Sequence, residues 1–184
     1  VIAGSVRFDC QGQFRDEPWA RASYEPSALP PGALGAITPA LSEVNAGRIP
    51  YARSVPRFFS AASDAVVTTD RFAFDDSTNH YGLKDLGRAC DMGDAMVADA
   101  VHGIPGLAWY SIRNASDPQI ANPAGDMTEA ARAAASIYTR YGGLTTAASL
   151  IGTWAIIHAA VGRAATRERR QGAPRARREH VAQL

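Results

Sequence analysis

Three short polar segments contain the residue types that could carry out acid–base chemistry. They are Thr69-Asp70-Arg71-Phe72, Asp91-Met92-Gly93-Asp94 and Arg113-Asn114-Ala115-Ser116-Asp117. Asp117 follows a run of mainly apolar residues, so partial burial of its carboxyl group is expected. Burial raises the pKa of a carboxylic acid and can make it a proton donor at neutral pH. The residues alone leave a second interpretation open, because Ser-Asp-Pro after a strand is also ordinary turn chemistry.

The remaining polar residues form no motif typical of a metal, nucleotide or hydrolase site. The four histidines, His80, His102, His158 and His180, are not spaced as metal ligands are. The sequence places no nucleophile beside any of them, and it has no glycine-rich nucleotide loop. We therefore expect neither a metal nor an organic cofactor.

The elements that would position these segments alternate between strands and helices. The sequence predicts a strand over 1–8, a helix from Thr38-Pro39 to near Gly47, a buried strand over 65–69, a helix over 90–102, a strand over 107–113, a helix over 126–141 ended by Gly142-Gly143, and an apolar helix over 144–161. Such alternation is typical of an α/β domain with a largely parallel sheet. In these sheets functional groups gather at the carboxyl ends of the strands, where two of the three polar segments begin.

Composition indicates one soluble globular domain, with 46% hydrophobic and 20% charged residues among 184. Residues 163–184 contain seven Arg and two Glu, a charge of +5, whereas the rest of the chain, with 12 basic and 16 acidic residues, carries −4. We therefore divide the chain into a domain over 1–162 and a basic, disordered tail over 163–184. The domain has no basic stripe, which argues against a nucleic-acid partner.

The apolar segment 144–161 contains no charged residue and must be considered as a membrane span. Its threonines, Ser149 and His158 dilute its hydrophobicity, so a buried core helix is the favoured interpretation. No signal peptide is recognisable, and Cys10 and Cys90 do not indicate a disulfide framework. We expect a cytoplasmic protein without a membrane partner. The first residue is Val rather than Met, which suggests a processed chain, a fragment or half of a split protein.

Together the three polar segments resemble the second half of the purine nucleoside phosphorylase and nucleosidase superfamily. Thr68-Thr69-Asp70-Arg71-Phe72 is similar to the family's Thr-Gly-Asp-x-Phe, Asp91-Met92-Gly93-Asp94 to its acidic-Met-Glu helix start, and Arg113 to Asp117 to its Arg-x-x-Ser-Asp. The likeness extends over about residues 1–160. It implies a three-layer fold with a mixed, largely parallel central sheet, here lacking the N-terminal portion that holds the phosphate loop.

The resemblance also implies roles for individual residues. Asp117 would protonate the leaving purine, with Ser116 bonding to the acid or the base and Phe72 stacking on the base. Arg113 would position the acid-bearing loop, although an ion pair at a strand end is an equal alternative. Met92 would pack under the ribose, although a Met at a helix start is more often in the core. Asp70 is expected to be structural.

The ribose-binding motif departs from the family at Gly93, which stands where the family has a Glu. Asp94, one residue later, could reach the sugar if the turn around Gly93 is reshaped. The alternative is a plain helix start, in which Asp91 caps the helix and Asp94 interacts with its dipole.

The expected activity is therefore cleavage of the N-ribosyl bond of a purine nucleoside, with an adenine-type base favoured. A nucleosidase is preferred over a phosphate-dependent phosphorylase, and a non-catalytic nucleoside-binding fragment remains as a third hypothesis. Besides the nucleoside, and phosphate in the second case, the family likeness implies a homo-oligomer.

Overall fold

The computed structural model describes residues 1–45, 63–71, 79, 81–114 and 126–172. Within these ranges the elements are β1 (Ser5–Phe8), β2 (Ser23–Tyr24), α1 (Ala33–Asn45), β3 (Ala65–Thr68), β4 (Ala89–Asp91), α2 (Asp94–Val101) and α3 (Met127–Gly172). The chain is thus a mixed α/β structure, as its alternating pattern predicts.

The four strands form one sheet in the order β2-β1-β3-β4. β1 pairs in parallel with β3, with Ser5 opposite Ala65, and β3 pairs in parallel with β4. Only β2 runs antiparallel, against β1. The prediction of a mixed, largely parallel sheet is confirmed at this level, and the predicted buried strand at 65–69 is β3, all four residues of which are buried.

Three apolar clusters hold the elements together. Val6, Phe8 and Val66 pack with Ala95 and Ala98 of α2 on one face of the sheet. On the other face, Ala65 and Val67 pack with Leu83. A third cluster joins α1 to α3, and its buried members are Ile2, Ala33, Ile37, Leu41, Ala155 and Ile156.

The predicted helix over 90–102 is wrong at its start, because residues 89–91 form β4 and the helix begins only at Asp94. Cys90 pairs with Val67, a partner 23 residues earlier that a local pattern cannot reveal. Small residues face the sheet in α2, with Ala95 and Ala98 buried and Met96 and Val97 exposed. Alanines allow the helix backbone to approach the sheet closely.

The predicted strand over 107–113 is reduced to one antiparallel bridge between Ile112 and Ile2. The backbone N–H of Ala3 donates to the carbonyl of Ser111 at 3.0 Å, and the N–H of Arg113 donates to the carbonyl of Val1. Since this pairing involves residues 1–3 only, the segment is extended and held in place but too briefly paired to form a strand.

The first helix starts five residues earlier than predicted and contains Pro39 in its interior. The hydroxyl of Thr38, expected to cap the helix, instead donates to the Leu34 carbonyl at 3.2 Å within it. A proline removes one helical hydrogen bond, and burial of Ile37 and Leu41 against α3 compensates for that loss. The predicted helix end near Gly47 lies outside the described residues.

The two predicted C-terminal helices are one helix, α3, that passes through Gly142-Gly143 without a break. Asp126 caps its start as predicted, accepting the backbone N–H groups of Thr128 and Glu129 at 3.0 and 3.1 Å. Each glycine in a helix interior costs about 0.5–1 kcal/mol, which packing against α1 can offset. The helix also extends ten residues past the predicted domain boundary at 162.

The interpretation of residues 144–161 as a buried core helix is wrong for most of the segment. Large apolar side chains of α3, including Trp154 and Leu150, are exposed, and only 17% of its most apolar 18-residue window is buried. By length and composition alone, Thr128–Gly162 could cross a membrane, with a mean hydropathy of 1.5 in that window.

Candidate functional site

The parallel strands β1, β3 and β4 end at the same edge of the sheet, which we call the carboxyl edge. An aspartate stands at or just beyond the end of each strand: Asp9 after β1, Asp70 after β3 and Asp91 at the end of β4. Asp94, the first residue of α2, adds a fourth carboxylate. Asp91 and Asp94 share a partner, Arg113, whereas Asp9 and Asp70 bond to other groups.

Asp9 and Asp70 bind groups of β1 and of the segment that follows it. The buried carboxylate of Asp9 forms ion pairs with Arg7 and Arg21. Asp70 accepts the backbone N–H groups of Gln11, Gly12 and Phe14 at 2.8–3.0 Å.

Burial raises the pKa of Asp70, but its bonds from backbone N–H groups outweigh burial and hold the pKa below its ordinary value. An ionised carboxylate fully used by the backbone of the loop is structural, as the sequence predicts for Asp70.

Asp91 joins β3, β4 and α2. Its Oδ1 accepts the hydroxyl of Thr68 at 2.7 Å, and its Oδ2 accepts the backbone N–H of Asp94 at 2.8 Å. The Thr68 hydroxyl in turn accepts the N–H of Ala95 at 2.8 Å. These bonds satisfy amide groups at the start of α2 that would otherwise lack partners. The N-cap position itself is Gly93 and not Asp91, because α2 begins only at Asp94 and Asp91 is the last residue of β4.

Arg113 connects this helix start to the extended segment 107–113. Its guanidinium donates to Oδ2 of Asp91 at 2.7 Å and to Oδ1 of Asp94. The Ser111 hydroxyl donates to the other oxygen of Asp94 at 2.5 Å. The expected ion pair of Arg113 therefore exists, and it holds residues 111–113 at the carboxyl edge.

The two neighbouring carboxylates differ in their proton affinity. Burial, with the negative charge of Asp94 nearby, raises the pKa of Asp91. Burial also raises the pKa of Asp94, but the bonds from Arg113 and Ser111 outweigh it and lower the pKa below its ordinary value. Asp94 is thus held as an anion, whereas ionisation of Asp91 is less favourable.

Met92 and Gly93 lie between the two aspartates on the open side of this edge. Met92 is 55% exposed, so it is not the core residue that a Met at a helix start often is. A Cβ added at Gly93 would have no atom within 4 Å. The space around a side chain at position 93 is therefore open.

Phe72, Ser116 and Asp117 lie outside the described residues. Their neighbours in sequence are described: Arg71 immediately precedes Phe72, and Asn114 is two residues before Ser116. Of the predicted site residues, the structure brings Asp94 and Arg113 into contact, and Met92 lies two residues before Asp94.

Sequence reasoning gave no individual role to Thr68 and Thr69, which it quoted only as part of a motif, and it missed Ser111. Thr68 and Ser111 are buried and hold the two aspartates. The Thr69 hydroxyl is buried without a hydrogen-bond partner, an arrangement that is rare for a buried polar group. Isolated Thr and Ser residues in apolar strands give no signal in a single sequence, because the same residues also occur as ordinary strand formers.

Within the ranges given above, no three His, Cys, Asp or Glu side chains come together as a set of metal ligands. No family model, curated protein or solved structure matches the chain.

Proposed function

We propose that the chain forms the C-terminal part of a three-layer nucleoside phosphorylase-like domain and cleaves the N-ribosyl bond of purine nucleosides. The reaction is hydrolytic, with an adenine-type base favoured, and the site lies at the carboxyl edge. Asp117 is the general acid that protonates the leaving base.

The observation that carries this proposal is the bonding of Arg113 to both Asp91 and Asp94. Two of the three segments that carry the family likeness are thereby joined at one point. Asp117 follows Arg113 by four residues, and four residues of extended chain span at most about 14 Å. The proposed acid is therefore joined to Arg113 by a short stretch of chain, and Phe72 follows Asp70 by two residues in the sequence.

The chemistry requires an acid at the base and a negative environment at the sugar. Loss of the purine leaves positive charge on the ribose, which the Asp94 anion stabilises electrostatically. A carboxylate has about four acceptor positions, so Asp94 retains capacity for a sugar hydroxyl besides Arg113 and Ser111. Met92, exposed beside it, supplies an apolar surface for the ribose ring.

Hydrolysis is favoured over phosphorolysis because the helix start departs from the phosphorylase pattern at Gly93. In the first case water attacks the ribose, and in the second inorganic phosphate does. The two differ only in the nucleophile, so they share the role of Asp117.

The test is release of free base from adenosine, inosine and methylthioadenosine, each with and without phosphate. We expect release without phosphate, fastest from the 6-amino purines. Base that appears only with phosphate would replace the nucleosidase with a phosphorylase. Nucleoside binding without any base release would leave a binding protein.

Asp117→Asn is expected to lower the rate of base release by about 10²–10⁴-fold, since general acid catalysis contributes that much. Asp126→Asn is the matched control, because it makes the same chemical change at the exposed cap of α3 and retains an acceptor for the backbone. Equal activity of the two variants would remove Asp117 from the mechanism.

A further inference from the structure

Helix α3 carries apolar side chains on two opposite faces. One face, with Ala155 and Ile156, is buried against α1. On the other, Leu150, Trp154, Ile157 and Val161 are 64%, 69%, 49% and 63% exposed. We call these four residues the apolar stripe.

The stripe follows the spacing of a helix–helix seam. Its residues are separated by four, three and four positions, as the apolar positions of a coiled coil are. At about 100° per residue the four side chains fall within about 60° of the helix circumference, and the direction midway between Ala155 and Ile156 lies about 180° away. The stripe is therefore centred on the side of α3 opposite Ala155 and Ile156, and its Leu150 and Trp154 also border the groove that α3 forms with α1.

We propose that the apolar stripe is a symmetric interface through which two copies of this chain associate. The exposed parts of its four side chains amount to roughly 500 Å² per copy, so a contact of stripe on stripe removes roughly 1,000 Å² from water, which is the lower bound for a specific interface. The segment 144–161 has no charged residue whose burial would oppose this contact. Trp154, at the centre of the stripe, is the residue type most often found to dominate such interfaces.

A groove of about 710 Å³ between α1 and α3 widens the apolar surface beside the stripe. Leu150 and Trp154 line it from α3, and Ala36 and Ala40 line it from α1. A partner helix lying on the stripe would cover this groove as well.

Charge selects an antiparallel arrangement of the two helices. The C-terminal part of α3 contains four arginines, at positions 163, 167, 169 and 170. A parallel pair would bring the arginine-rich ends of both copies together, whereas an antiparallel pair separates them. In the antiparallel pair, Leu150 of one copy lies near Val161 of the other.

A second copy explains the stripe better than a lipid bilayer does. The opposite face of α3 packs on α1 and on Ile2 and Ile112 beside the sheet. A membrane-spanning α3 would have to carry these elements into the bilayer with it.

The experiment is sedimentation velocity of the full chain, without detergent, across a range of concentrations. We expect a dimer whose dissociation constant rises about 30-fold or more in Trp154→Glu and to a smaller extent in Trp154→Ala. Ile104→Glu is the control, because Ile104 is also 49% exposed but lies after α2, away from the stripe. Circular dichroism checks that each variant keeps the wild-type helix content.

Three results would each overturn the proposal. They are a monomer at every concentration, a dimer that is unchanged in Trp154→Glu, and a protein that stays in solution only when detergent or lipid is present. Direction is tested by disulfide formation in a Cys90→Ala background. Mixing Leu150→Cys with Val161→Cys should give a cross-linked dimer, and Leu150→Cys alone should not. The reverse result would show a parallel pair and refute the antiparallel one.

Discussion

At the carboxyl edge of the sheet polar side chains are buried and paired, whereas along α3 large apolar side chains are exposed. Asp91 and Asp94 take part in bonds from Thr68, Ser111 and Arg113. Within the part of the chain that the structure describes, Trp154 and its neighbours in the stripe remain 49–69% exposed. In the first region these buried carboxylates have partners, although the nearby Thr69 hydroxyl has none among the described residues. In the second region α3 packs along one face and leaves the other exposed.

The largest effect is expected in the same sheet but at its amino end, where Gly87 lies against Ala65, the first residue of β3. A Cβ added at Gly87 would lie 2.6 Å from the carbonyl oxygen of Ala65 in β3 and 2.7 Å from Val67 Cγ2. Gly87→Ala is therefore expected to lower the free energy of unfolding by about 2–3 kcal/mol, since β3 is central in the sheet and cannot move away. Urea denaturation measures this.

Gly93→Ala is the matched control, because nothing lies within 4 Å of its added Cβ. It should change stability by less than about 0.5 kcal/mol. Similar losses of stability in the two variants would mean that the surroundings of Gly87 are no more tightly packed than the start of α2.

Asp94→Asn is expected to cost about 1–2 kcal/mol at neutral pH, because Arg113 loses an ionised partner. The pKa of Asp94 is lowered in the fold, so its stabilisation is present above the unfolded-state pKa and is lost as the pH falls through the folded-state pKa. The difference between variant and wild type should therefore shrink below about pH 4. Chemical denaturation from pH 3 to 8 measures it.

Glu129→Gln provides the control for that experiment. Glu129 pairs with Arg132 on the exposed surface of α3, where an ion pair contributes little. Its effect should be near zero at every pH. A penalty for Asp94→Asn that grows as the pH falls would contradict the assignment of Asp94 as the stabilised anion.

The smallest effect, of opposite sign, is expected in α3. Gly143→Ala meets no atom within 4 Å and replaces a glycine inside a helix, so it should stabilise the protein by about 0.5–1 kcal/mol. The thermal midpoint measures it, and Gly142→Ala, which meets only the Tyr138 ring at 3.6 Å, should act in the same direction. Destabilisation by both would indicate that the helix ends at this pair of glycines.

Local pattern was sufficient where one element carried its own signal. The run at 65–69, rich in β-branched residues, predicted a buried strand, and the segment from Asp126 to Glu129 predicted the start of α3. The same reasoning failed where a distant partner decides the structure: β4 exists because Cys90 pairs with Val67, and the glycines at 142–143 remain helical in a helix that packs against α1.

For the site, sequence reasoning identified Asp94 and Arg113 but not the bond between them. A salt bridge between residues 19 positions apart has no local signature. The interpretations of Asp94 as a helix-start residue and of Arg113 as an ion-pair partner are both realised in the structure, and the roles of these residues toward a nucleoside stay predictions. Thr68 and Ser111 were missed because a hydroxyl gains a role only from the carboxylate that faces it.

Parallel pairing of β1 with β3 also has a consequence for how fast the chain folds. Ser5 and Ala65 are paired in β1 and β3, so pairing of these strands closes a loop made of all the residues between them. Closing so long a loop lowers the entropy of the chain before the contacts between the strands can offset that loss. The hydrogen bonds of α3 join residues only four apart and carry no comparable cost. We expect assembly of the sheet, and not formation of the long helix, to set the folding rate.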